Sequence, residues 1–226
     1  MLRGDTNGVS LNYLSKNTDG FFFNLEEFII SVRKLPNQML EYIVEGTTAY
    51  EETLKSKKLI VSNDWDGGKN LFVFLYTYVR AIKPKLIVET GVANGISTNA
   101  IMKALIANQE SGTLYSFDTL SRTKQSYSGS GNWNFVHLKK PYSVNLFNTI
   151  KNLEPIDLWL HDSNHGYPWQ KTEYAMALSK LSEHGALVSD DIDASVAWRQ
   201  FAAKRLKESY ILNDSKKFIG IGFKYK

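Results

Sequence analysis

From residue 85 to the end of the chain, short apolar runs alternate with stretches of helical spacing. This alternation limits the possible folds more than any other feature of the sequence. The runs LIVET (86–90), TLYSFD (113–118), NFVHL (134–138), IDLWLHD (156–162) and ALVSDD (186–191) read as strands. Helices are predicted between and after them over 97–107, 144–151, 169–181 and 194–207. The closing segments SYILND and KKFIGIGFKYK read as a hairpin of two strands. Strands that alternate with helices imply a parallel sheet with right-handed crossovers. Such a sheet binds ligands beyond the carboxyl ends of its strands.

The first eighty residues read differently. Leu25, Phe28, Ile29, Val32 and Leu35 recur at helical spacing, as do Met39, Tyr42, Ile43 and Thr47, and Pro36 separates the two sets. A further helix is predicted over 71–81, stopped by Pro84. The expected organisation is therefore a helical extension over 1–80 and an α/β domain over 81–226. Phe21, Phe22 and Phe23 are expected in the core, with a lid or a dimer contact as the alternative. A homo-oligomer is compatible with this pattern.

Composition narrows the function classes. The chain has 226 residues, 43% of them hydrophobic and 22% charged, which suits one globular unit with its own core. It has no apolar run of membrane-spanning length. Its start, MLRGDTNGVS, lacks the apolar centre of a secretion signal. Cysteine is absent, which excludes disulfides and thiolate metal sites and fits the cytoplasm. The net charge of +4 draws on a lysine-rich end that includes Lys204, Lys207, Lys216, Lys217 and Lys224. That end is expected to be a solvated face. The alternative, a nucleic-acid surface, lacks accompanying aromatic or arginine motifs.

The segment Glu89-Thr90-Gly91-Val92-Ala93-Asn94-Gly95-Ile96-Ser97 joins the first of these strands to a helix. Gly91 permits a turn with positive φ. Gly95 removes a side chain where a ligand is expected to approach the backbone. Ser97 and Thr98 lie at a helix start, where free N–H groups favour an anionic group. The spacing is G-x-x-x-G, not the G-x-G-x-x-G of dinucleotide enzymes, so a nicotinamide oxidoreductase fits poorly. A purely structural strand-to-helix turn is the alternative. With an acid two residues before the first glycine, the segment resembles the first motif of class I S-adenosylmethionine-dependent methyltransferases. The resemblance implies a Rossmann-like, mostly parallel seven-stranded sheet with a C-terminal antiparallel hairpin. It also implies S-adenosylmethionine as cofactor, cradled by Glu89, Gly91, Asn94, Gly95 and Ser97. Asp118 stands at the strand end where such enzymes place an acid for the ribose hydroxyls; a helix cap or turn is its other reading. The long segment 121–134 is expected to cover the adenine or the substrate.

Asp162 and the pair Asp190-Asp191 end two strands expected to be neighbours, so three carboxylates are expected to converge at the ligand edge. Close like charges repel unless a proton or cation neutralises them. Oxygen ligands alone suit a hard divalent ion, Mg²⁺ first of all. The alternative has Asp191 capping the next helix. Asp162-Ser163-Asn164-His165-Gly166-Tyr167 together with Asp190-Asp191 resembles the metal-dependent catechol-type and macrocin-type O-methyltransferases. The likeness implies Asp162, Asp190 and Asp191 as metal ligands, with Asp162 also beside the cofactor, and a hydroxyl of a small molecule of sugar or natural-product type as acceptor. His165 then becomes the base that takes the hydroxyl proton; a hydrogen bond to its own turn is the competing reading. His161 is expected to point to the other face and, like His137 and His184, to be structural. Tyr167 and Trp169 are candidates for the acceptor pocket, with the core of its helix the preferred reading of Trp169, and Glu173 is a candidate helix-surface acid. Ser62 and Asn63 are placed to close over the cofactor. A metal-free small-molecule methyltransferase, a nucleic-acid methyltransferase and a non-catalytic scaffold remain the competitors.

Overall fold

Leu86–Thr90 (β2) is buried at every position, as a strand at the centre of a sheet covered on both faces must be. The computed structural model describes residues 18–109, 112–215 and 217–224. Ahead of β2 come the short strand Gly20–Phe22 (β1) and the helices Leu25–Ser31 (α1), Ile43–Ser56 (α2) and Lys69–Ile82 (α3). After it come Ile96–Ala107 (α4), Thr113–Asp118 (β3), Asn132–His137 (β4), Tyr142–Ile150 (α5), Ile156–His161 (β5) and Tyr167–Lys180 (α6). The chain closes with Leu181–Ser189 (β6), Ala197–Arg205 (α7), Glu208–Asp214 (β7) and Lys217–Phe223 (β8).

The strands form one sheet in the order β1-β7-β8-β6-β5-β2-β3-β4. Every pairing is parallel except those of β8, which runs antiparallel to β6 and to β7. The expected α/β sheet and its terminal hairpin are present, with one strand beyond the seven. That strand is β1, which pairs in parallel with β7. Alternate side chains of a strand face opposite ways. Phe22 therefore meets Phe28 and Tyr210 at ring-centroid distances of 5.2 and 6.4 Å, while Phe21 meets Phe218 at 5.6 Å. Phe21 and Phe22 make a sheet edge with both faces packed, whereas Phe23 follows the strand and is 64% exposed, which corrects its expected place in the core.

The same alternation divides the core into two layers. Leu158 and Leu160 of β5 join Phe28, Phe72, Phe74, Ile101 and Ile219 on one face. Trp159 joins Phe117, Tyr174, Leu187, Trp198 and Phe201 on the other. The first layer receives α1, α3 and α4, so the N-terminal helices share their core with the sheet.

Within the α/β region, two starts differ from the periodic reading by three residues or more. β6 starts at Leu181, directly after α6, because Leu181 pairs with Ile156 before a register irregularity brings Ala186 opposite Leu158. α7 starts at Ala197 rather than 194, because the backbone first turns through Asp191, at φ 47°.

Candidate active site

The carboxyl ends of β2, β3, β5 and β6 surround a cavity of about 550 Å³. Thr90, Ala93 and Asp118 line one side; Asp162, His165, Asp191 and Lys217 line the other, with Asp64 and Trp65 also at its wall.

The loop after β2 owes its shape to contacts that leave the cavity free. Gly91 takes φ 84°, and a Cβ there would lie 1.8 Å from the Asp162 carbonyl oxygen. Only glycine fits this close approach of two strand ends. Gly95 takes φ 79°, and its missing side chain makes room for Ser126, whose Oγ would lie 2.6 Å from a Cβ. The space expected for a ligand at Gly95 is thus taken by the protein itself. Glu89 is fully buried and accepts hydrogen bonds from Ser97 Oγ (2.6 Å), Thr98 Oγ1 (2.7 Å) and Ser116 Oγ (2.6 Å). Burial raises its pKa against the pull of these three donors. Asn94 is buried too. Its Oδ1 accepts from the Ile60 and Val61 backbone N–H groups (2.7 and 2.9 Å), and its Nδ2 donates to Asp66 Oδ1 (2.9 Å). Glu89, Gly91, Asn94, Gly95 and Ser97 therefore shape and brace the loop, which meets the cavity through Thr90 and Ala93. Asp118 faces the cavity. Its Oδ2 accepts from the Val92 and Ala93 N–H groups (2.9 and 3.3 Å), and its Oδ1 from Leu120 N–H (2.8 Å).

The three aspartates do converge. β5 and β6 are parallel neighbours with His161 opposite Ser189, and Asp190 N–H donates to the His161 carbonyl at 2.9 Å. Asp191 does not cap α7, whose N-cap is Val196 without a side-chain bond. A cation already stands among the acids: Lys217 Nζ lies 3.0 Å from Asp190 Oδ2 and 3.3 Å from Asp191 Oδ2. Lys217 is 8% exposed, which corrects its assignment to a solvated lysine face. Burial would lower its pKa, but Asp190, Asp162 and Asp191 outweigh that and raise it. Burial lifts Asp190 to about 6 even with Lys217 beside it. Burial and the Asp190 charge push Asp162 well above the usual carboxylate range. Among the described residues, no group of three or more Asp, Glu or His side chains has metal-holding geometry. Two of the three donors expected for Mg²⁺, Asp190 and Asp191, are engaged by an ammonium, so these residues do not fit the ion as they stand.

His165 sits between the acids. Its Nδ1 is 3.3 Å from Asp191 Oδ2, and its buried Nε2, 3.8 Å from Asp162 Oδ1, has no hydrogen-bond partner. Burial lowers its pKa to about 4, so the ring is neutral at neutral pH. The turn backbone is held by another side chain: Asn164 Oδ1 accepts from Gly166 N–H at 2.8 Å.

Behind the cavity lies a second buried network. His161 Nδ1 is 2.9 Å from Glu173 Oε2, and both side chains are inaccessible. Glu173 also accepts from Trp159 Nε1 (3.0 Å), Ser163 Oγ (3.0 Å) and Thr90 Oγ1. Burial would raise the Glu173 pKa, but His161 and these donors hold it low. Glu173 is thus an interior acid, not a helix-surface one. Trp169 lines the cavity and donates to Ser163 Oγ at 2.9 Å, whereas Tyr167 donates to Gln200 Oε1 at 2.8 Å and is absent from the cavity wall. His137 and His184 also lie away from it. Sequence reasoning missed Lys217, Glu173 and Trp65. A clue to Lys217 was its place at the head of an apolar strand entering from the hairpin turn.

Residues 88–192 match a family described as a methyltransferase domain. Among solved structures, the SAH-bound methyltransferase PaMTH1 from Podospora anserina aligns with a TM-score of 0.57 and 15% identity, over 84% of this chain and 88% of that one. An O-methyltransferase from Bacillus cereus in complex with SAH gives 0.54 and 14%, over 90% and 98%. MycE from the mycinamycin biosynthetic pathway, in complex with Mg and SAH, gives 0.56 and 11%, over 86% of this chain and 63% of its own. At these identities the likeness is one of fold. Comparison with curated proteins gives no match.

Proposed function

We propose that this chain is a class I S-adenosylmethionine-dependent methyltransferase that methylates a hydroxyl of a small molecule, with His165 as the proton acceptor. One observation carries the reading: His165, whose ring is neutral and whose buried Nε2 has no hydrogen-bond partner, is a lining residue of the same cavity as Asp118 and Ala93 of the glycine loop. On this reading the catalytic domain spans 81–226 and region 1–80 is its N-terminal extension, whose described helices pack against it.

Bound S-adenosylmethionine supplies a methyl carbon already activated on a sulfonium. Asp118 spends three lone pairs on backbone N–H groups and keeps capacity for a ribose hydroxyl. The cavity volume falls in the range of small-molecule sites. His165 accepts the acceptor's proton at Nε2, and Asp191 beside Nδ1 stabilises the resulting imidazolium. Alignment of the hydroxyl behind the methyl carbon contributes most of the rate. Trp169 and Trp65 offer apolar surface for that alignment.

The divalent-ion reading of Asp162, Asp190 and Asp191 draws support from their oxygen chemistry and from the Mg in the MycE complexes. Lys217 stands against it, and no step here uses a metal. A nucleic-acid acceptor has only the positive net charge in its favour.

The test pairs calorimetry with S-adenosylhomocysteine and transfer of labelled methyl from S-adenosylmethionine to a panel of hydroxyl compounds. Cofactor binding with label on an oxygen is expected. No binding of S-adenosylhomocysteine, or label only on nitrogen or nucleic acid, overturns the proposal.

A further inference from the structure

We infer that the Lys217 ammonium is the resident cation of the acidic site, so that this chain transfers its methyl group without a divalent ion. The inference rests on the methyltransferase reading and deepens it.

The argument begins with charge. Three aspartates end adjacent strands, and Asp190 is fully buried. Such a group needs a counter-charge. Lys217 provides it at hydrogen-bonding distance, with one nitrogen reaching both members of the Asp190-Asp191 pair. A hard ion would need those same oxygens at shorter distance and with more ligands. Lys217 would have to leave first, and its ammonium is itself largely buried.

The lysine is also held where it is. It opens β8, paired with Asp214 at the end of β7. Asp214 is buried, and its two carboxylate oxygens accept the Gly68 and Asn70 backbone N–H groups at 2.8 Å each, at the start of α3. A carboxylate at a helix N-terminus satisfies free N–H groups and the helix dipole together. The hairpin end is thereby pinned to α3, and its first strand residue is directed into the acids. Asp190, Asp162 and Asp191 keep the amine charged.

This placement changes what the acceptor must be. A metal favours substrates with two adjacent oxygens that chelate. An ammonium in the cavity wall offers single hydrogen bonds and positive charge to one developing alkoxide. The acceptor class is therefore a molecule with an isolated hydroxyl, and a vicinal diol gains no advantage.

The experiment uses the whole chain, stripped with EDTA. Its turnover should change by less than about twofold on stripping and on adding back Mg²⁺ or Mn²⁺. Titration of Mn²⁺ alone, followed by electron paramagnetic resonance with and without S-adenosylhomocysteine, should show no stoichiometric site. Lys217→Met should lose roughly 100-fold in turnover, as for removal of a preorganised charge, and should acquire Mn²⁺ binding at the exposed acids. Should that variant fail to fold, Lys217→Met with Asp190→Asn keeps the buried pair neutral. That double variant should fold, remain insensitive to Mg²⁺ and still bind S-adenosylhomocysteine. Stoichiometric Mn²⁺ binding by the wild type, or loss of its activity in EDTA with rescue by Mg²⁺, overturns the inference. Either result leaves the methyltransferase reading intact, because cofactor binding is measured separately.

Discussion

Glu89 and Asp190 are both fully buried carboxylates at the carboxyl edge of the sheet, with one strand between theirs. They are neutralised in opposite ways. Glu89 is surrounded by three neutral hydroxyls and has no face on the cavity. Asp190 is held by one ammonium that does line the cavity. An acid whose lone pairs are filled by the next helix and the neighbouring strand fastens its own strand to both. An acid balanced by a single charge next to open volume sets the field that a ligand meets. On the proposed function, two similar strand ends do different work: the glycine-loop end serves as framework and the aspartate end serves the chemistry.

That contrast is broken most directly at His165. His165→Ala should lower kcat by roughly 100- to 1000-fold, the scale of a lost general base, while the affinity for S-adenosylhomocysteine stays within about twofold. Equal losses in both would move His165 from chemistry to framework. The pH profile sharpens the point. A base works in its deprotonated form, so the rate falls as pH drops through its pKa. With His165 held down to about 4, the acid limb attributable to it should appear near that pH rather than near the ordinary histidine value. That limb should vanish in His165→Ala.

Glu89→Ala tests the other region. It leaves three buried hydroxyls without their acceptor and should cost about 3 kcal/mol of stability, measured by denaturant unfolding. Turnover per folded molecule should remain within a few-fold. A normal melting curve with lost cofactor affinity would return Glu89 to the cofactor. Gly95→Ala should cost less, about 1–2 kcal/mol, from a positive φ and the contact with Ser126. Ser126→Gly in the same chain should recover the contact part of that loss but not the backbone part.

The alternation from residue 85 exposed the sheet, because strands buried on both faces read as short apolar runs and their crossovers as helices. It also placed Asp162 beside Asp190, since that follows from strand order alone. Sequence could not give the partner of those acids. Lys217 lies 27 residues from Asp190 and reaches it only because β8 runs back antiparallel beside β6. Glu173 was hidden for a related reason: α6 turns that side chain inward against His161, and helical spacing does not say which polar residue faces a buried histidine. β1 escaped because it is only Gly20, Phe21 and Phe22 long, and two successive phenylalanines packed on opposite faces leave no alternation to detect.

The smallest effect is expected at Trp65, which belongs to neither acid region yet touches the same cavity. Its side chain is 56% exposed, an unusual cost for an indole unless something covers it. The short turn Asn63–Trp65 that carries it is fixed on both sides. Lys57 Nζ pairs with Asp66 Oδ2 at 2.6 Å, and Asn94 brackets the backbone from Ile60 to Val61. A tethered aromatic ring at the rim of the cavity is ready to stack on a flat ligand group. Trp65→Ala should therefore leave the melting temperature nearly unchanged, because little buried surface is lost. It should weaken binding of S-adenosylhomocysteine or raise KM for the acceptor by about tenfold, near 1.4 kcal/mol. Trp65→Phe should restore most of that. If the alanine variant binds both ligands normally, the rim contributes shape alone, and discrimination among acceptors falls to the walls around His165 and Lys217.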